Sequence, residues 1–135
     1  MNFTAPTKTQ VLEAISDDIN FSIFEIIRNN TVNTERIRDG LELTVKQCYD
    51  RVGKLTNAGL VNRKNGYYKL TAFGHLVFQA QSKVAKGVQN ISKLKMVDEI
   101  RGDGVSKFIP KDEIKKLVEE IIDDDELNSL IGNGE

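Results

Sequence analysis

The chain has one cysteine, one histidine, two prolines and no tryptophan among its 135 residues. Cys48 alone cannot form an internal disulfide, and a thiolate cluster for zinc or another soft metal needs several cysteines. Without a second histidine, or a serine or cysteine at a recognisable spacing, His75 has no partner for acid-base catalysis. An enzyme is therefore not expected, and neither is a cofactor. No phosphate-binding glycine loop is present: Gly66 stands in a turn, and Gly102 and Gly104 do not follow a strand. Asp123-Asp124-Asp125-Glu126 lacks the alternating ligands and central glycine of a calcium loop and reads as a capped, solvated helix end. No run approaches the ~18 apolar residues of a membrane span, so no membrane partner is expected. The start, MNFTAPTKTQ, has no basic stretch leading into an apolar one, so the expected location is cytoplasmic.

What is present is charge, unevenly spread. The formal net charge of -1 averages two regions of opposite sign. Residues 33–70 carry eight cations against four acids, and residues 103–135 carry four cations against ten acids. A basic middle is the electrostatic footprint of a nucleic-acid partner, which the overall balance conceals.

Hydrophobic periodicity predicts a short helix near 8–16 and a second near 18–29, with Asp17-Asp18 suited to capping it. Asn33 or Thr34 can cap a third helix that runs through Ile37 to Gly40. From Thr44, residues Cys48, Val52 and Leu55 recur at spacings of four and three, one face of a helix that Ala58-Gly59 ends. Cys48 is thereby a small core residue. Asn65-Gly66, between Leu60-Val61 and Tyr67 to Leu70, predicts a hairpin with a type I′ turn, because both central positions need positive φ. Thr71 can cap a long helix with apolar positions Phe73, Val77, Ala80, Val84, Val88, Ile91, Leu94, Val97 and Ile100. If unbroken it runs about 45 Å at ~1.5 Å per residue, with Gly87 as a candidate bend. Gly102 to Gly104 should stop it, and Pro110 should open a last helix with Ile114, Leu117, Val118, Ile121 and Ile122 on one face.

Three helices followed by a basic hairpin make a winged helix-turn-helix, in which the third helix enters the major groove and the wing meets backbone or minor groove. The expected fold is mainly α with a small β-hairpin wing: a DNA-binding domain over 1–72, then a helical dimerisation and C-terminal region over 73–135. The segment LTVKQCYDRVGKLTNAGLV, Leu43 to Val61, resembles the recognition helix and first wing strand of the MarR/ArsR/PadR-like regulators. YYKLTAFGHLV, Tyr67 to Val77, resembles their second wing strand and the Leu-Thr-x-x-Gly entry into the dimerisation helix. With VFQAQ and KLKMVDEI, the chain is most similar to small archaeal winged-helix proteins of this regulator type. The resemblance is close over roughly 45 residues of the motif. It implies a transcriptional regulator on double-stranded DNA. Two residues depart from the pattern, Arg38 where a small residue is usual and Glu42 where the turn often has glycine, and Asp50 near the expected DNA face would repel phosphate unless paired.

With Cys48, Val52 and Leu55 inward, the outward residues at the helix start are Val45, Lys46, Gln47, Tyr49 and Asp50. Gln47 suits adenine, Lys46 suits guanine, Tyr49 suits a phosphate or a thymine methyl, and Asp50 suits a cytosine amino group or a pair with Lys46 or Lys54. Arg51, Lys54, Arg63, Lys64 and Lys69 are expected phosphate contacts. Thr44 is expected to cap the helix and to stand near phosphate. A narrow apolar stripe of this length needs a partner, so a homodimer is expected through Val77, Ala80, Val84, Val88, Ile91 and Leu94. The alternative is a winged-helix adaptor that binds a protein partner and no DNA.

Overall fold

Polar caps set the helix starts. In the computed structural model, which describes residues 4–102 and 107–133, Thr7 caps α1 (Lys8–Ala14), and Asp17 caps α2 (Asp18–Asn29) by accepting from the Asn20 amide. Asn33 rather than Thr34 caps α3 (Thr34–Leu41). Thr44 caps α4 (Val45–Asn57). Each cap satisfies an amide that the first helical turn leaves without an intrahelical acceptor.

Gly59, at φ 78°, ends α4, and the Leu60 amide donates back to the Leu55 carbonyl, a left-handed closure that costs glycine nothing. The antiparallel hairpin of β1 (Val61–Lys64) and β2 (Tyr67–Leu70) turns at Asn65 and Gly66, with φ of 55° and 83°. This is the turn predicted from Asn-Gly. A third short piece joins the hairpin: Val32 pairs with Tyr68, exchanging bonds of 2.7 and 3.3 Å.

The Leu-Thr-x-x-Gly segment has a steric reason. Thr71 Oγ1 accepts from the Gly74 amide and donates to the Gly59 carbonyl, opening α5 (Ala72–Gln89). A Cβ on Gly74 would lie 2.1 Å from the Leu60 carbonyl oxygen, so only glycine lets α5 start here.

The chain divides into two compact units, 1–79 and 80–135. The division falls inside α5, later than the 72/73 boundary read from the sequence, because Phe78 is buried in the first core. There it stacks on Phe21 at a centroid distance of 6.0 Å and meets Phe24 edge-on at 5.5 Å. Around this trio the first unit buries Ile23, Ile37, Leu55 and Leu60, with α4 packed on α1, α2 and α3.

The second unit contains the end of α5, then α6 (Ile91–Arg101), α7 (Lys111–Ile121) and α8 (Asp125–Leu130). Its core is Val97, Val118, Ile122 and Leu127, with Leu94, Ile114, Ile121 and Ile131 against it. The expected continuous helix over 71–100 is broken, at Asn90 rather than at Gly87. Asn90 Nδ2 donates to the Lys86 carbonyl at 2.8 Å, and its φ of -108° leaves the helical range. Asparagine competes in this way with the helical ladder. Pro110 precedes α7 and Gly102 ends α6, as expected. The architecture is thus mainly helical with one two-stranded hairpin, a layout consistent with a winged helix. Among the described residues no helix is long and apolar enough to cross a membrane.

Candidate nucleic-acid interface

The turn from α3 to α4 accommodates both of its unusual residues. Glu42 adopts φ 53°, the left-handed conformation that explains why glycine is usual there. Arg38 closes the turn: its carbonyl accepts from the Leu43 amide, and its Nε donates to the Leu43 carbonyl at 3.2 Å. A residue read as an obstacle to helix approach thus fixes the turn.

At the start of α4, Thr44 Oγ1 accepts from the Gln47 amide at 3.1 Å, and Gln47 Oε1 accepts from the Thr44 amide at 3.0 Å. This reciprocal box confirms the capping role of Thr44 and gives Gln47 a task within the helix. The Gln47 oxygen thus accepts one bond inside the helix start.

Arg51 also has a role within the chain. Its Nη1 donates to Asp17 Oδ1 and Oδ2 at 3.0 and 2.9 Å and to Asn20 Oδ1 at 2.9 Å. Through Nη1 it braces α4 against the start of α2. The Asn20 amide and this guanidinium hold the Asp17 carboxyl below its usual range. Cys48 is buried, as its register implied, and burial pushes its thiol up.

Val45, Lys46, Tyr49 and Asp50 remain outward on α4, and among the described residues none makes an ion pair or side-chain hydrogen bond. Asp50 therefore pairs with neither Lys46 nor Lys54. Lys54 is exposed toward α1, in a pocket it shares with Gln10 and Glu13.

The hairpin register separates two cations that sequence reading grouped. Arg63 pairs with Tyr68 and Lys64 with Tyr67, so alternation sends Arg63 and Lys64 to opposite faces. The Arg63 guanidinium lies 5.5 Å from the centre of the Tyr68 ring, whereas Lys64, Tyr67 and Lys69 share the other, exposed face. Tyr67 was not singled out from the sequence. Alternation from the buried Leu70 and Tyr68 would have placed it outward beside Lys69.

The expected dimer stripe is partly used within the chain. Val77 packs on the first core and Leu94 on the second, and both are half-buried within the chain. Ala80, Val84, Val88 and Ile91 stay exposed, joined by Phe73 and by the unpredicted Leu76. Phe73, Leu76, Ala80, Val84 and Val88 follow spacings of three and four, one side of α5. Ile91 lies beyond the break at Asn90.

Among the described residues no cluster of three or more His, Cys, Asp or Glu is arranged to hold a metal ion. Asp124 caps α8, accepting from the Leu127 amide at 3.1 Å, the helix-end role expected of the acidic run. Compared with models of known protein families and with curated proteins, the chain matches none.

Proposed function

We propose that the protein is a winged helix-turn-helix transcriptional regulator that binds double-stranded DNA as a homodimer, with α4 as recognition helix and the β1-β2 hairpin as wing. The observation that carries this reading is the outward row at the start of α4, braced from behind and, among the described residues, left without ion pairs or side-chain hydrogen bonds. Beside it, through the packing of β1 on α4, stands a hairpin face with two free lysines. Lys46 supplies a base donor, and Lys54, Lys64 and Lys69 supply phosphate contacts. The exposed aliphatic side of α5, where Leu76, Val84 and Val88 are 66%, 59% and 67% exposed, supports pairing with a second copy. Two copies would address half-sites about 34 Å apart.

Fluorescence anisotropy with a mixed-sequence duplex tests the reading. Binding should weaken by orders of magnitude between about 50 and 200 mM salt. Replacing Lys64 and Lys69 with alanine should weaken binding to every sequence and flatten that dependence by up to about two contacts. Absence of binding at low salt, with a stoichiometric protein partner recovered from native extract, would favour the adaptor instead. Sedimentation at micromolar concentration tests the dimer, and a monomer there would remove it.

A further inference from the structure

Resting on the DNA reading above, the residues Val45, Tyr49 and Gly53 carry a more specific one. They stand four apart along α4, so they form one continuous row on its outward side. The fold accounts for none of the three. Val45 and Tyr49 are 49% and 47% exposed and belong to neither core. Gly53 lies inside the helix, outside the positive-φ glycines, and a Cβ there would meet nothing within 4 Å. Neither backbone geometry nor packing requires glycine, yet glycine inside a helix is less stable than alanine. A close approach of the helix backbone to a ligand is the remaining physical use for it.

The polar alternatives for base reading are mostly committed elsewhere. Gln47 Oε1 accepts from the Thr44 amide, and Arg51 Nη1 is engaged by Asp17 and Asn20. Lys46 and Asp50 remain, flanking a row that is apolar over its first two turns. In the major groove the apolar group that carries base identity is the C5 methyl of thymine. We propose that α4 reads thymine methyl groups through Val45 and Tyr49, and that Gly53 lets the helix settle deeply enough in the groove for both contacts.

The test uses the full chain and a duplex that it selects from a random-sequence pool, prepared once with thymine and once with uracil throughout. Uracil keeps the hydrogen-bonding groups and removes only the methyl. The uracil duplex should bind about fourfold more weakly for each methyl contacted. Val45→Ala should weaken binding to the thymine duplex and leave the uracil duplex nearly unaffected. Gly53→Ala should raise the melting temperature while lowering affinity for both duplexes about tenfold. Tight, salt-sensitive binding that is equal for the two duplexes would overturn methyl reading and leave DNA binding standing. A selected site without thymine would do the same. Gly53→Ala with a raised melting temperature and unchanged affinity would overturn the close approach. No binding to either duplex at low salt would overturn both this inference and the function on which it rests.

Discussion

Two corners of the molecule use the same local device and connect it differently. Where α1 turns into α2, Asp17 caps the new helix, and buried Asn20 donates its side-chain amide to the Ala14 carbonyl, six residues back, at 3.0 Å. Where α7 turns into α8, Asp124 caps, and buried Asn128 donates to the Ile122 carbonyl, also six residues back, at 2.7 Å. The difference lies at the asparagine oxygen. Asn20 Oδ1 accepts from Arg51 on α4, 31 residues away, while Asn128 Oδ1 accepts from Asn133, five residues away. The first corner thus aligns the candidate recognition helix. The second ties down the chain that follows α8, where Asn133 Nδ2 also donates to the Lys115 carbonyl of α7 at 3.3 Å. A short polar motif can set a helix corner by itself, but what the corner positions depends on the partner that folding brings to it.

The comparison can be broken most sharply at Asn20. Asn20→Ala removes the bond to Ala14 and strips Arg51 of one acceptor, all in a residue only 1% exposed. We expect a loss of about 3 kcal/mol, the upper end for buried groups left unsatisfied. It should be measured by urea unfolding and accompanied by weaker DNA binding. A loss of stability without any change in DNA binding would separate the corner from α4. Asn128→Ala should cost less, about 2 kcal/mol, because the four-residue core of the second unit remains intact. Hydrogen exchange should show faster opening in α7 and α8 with protection in α4 unchanged. Protection lost equally in both units would contradict the local role.

Arg51→Ala should have the smallest effect, about 1 kcal/mol at neutral pH. Its partner Asp17 is half exposed, and exposed ion pairs are screened. The pH dependence fixes its sign. Folding lowers the Asp17 carboxyl below its ordinary value of 3.8, so this stabilisation is fully present above that value and disappears as pH falls through the folded pKa. Wild type and variant should therefore converge in stability as pH falls through the lowered carboxyl of folded Asp17. A difference that persists there would place the contribution of Arg51 in its bond to Asn20 rather than in the ion pair.

Much of this layout is legible in residue order because its causes are local. Asp17, Asn33 and Thr44 cap helices whose first amides lie two or three residues on. Asn65-Gly66 makes its turn with its own backbone. Cys48, Val52 and Leu55 face the core because helical periodicity leaves no other side for them. The break at Asn90 escaped periodicity, since the apolar spacing continues past it while the side chain of Asn90 bonds backward to Lys86.

The candidate interface was legible as a location but not as a set of free groups. Gln47, Arg51, Lys46 and Tyr49 all sit on a basic, capped helix, and by residue type Gln47 and Arg51 are the better base or phosphate ligands. The sequence alone determined where α4 begins, which residues face inward, and that a basic hairpin follows, because capping, periodicity and turn geometry act within a few residues. Only the tertiary structure decided that Arg51 is bound to Asp17 across 34 residues, that Arg63 lies over the Tyr68 ring, and that Val77 and Leu94 pack within the chain. A side chain is available to a partner only if no internal group has claimed it, and such groups arrive from distant parts of the chain.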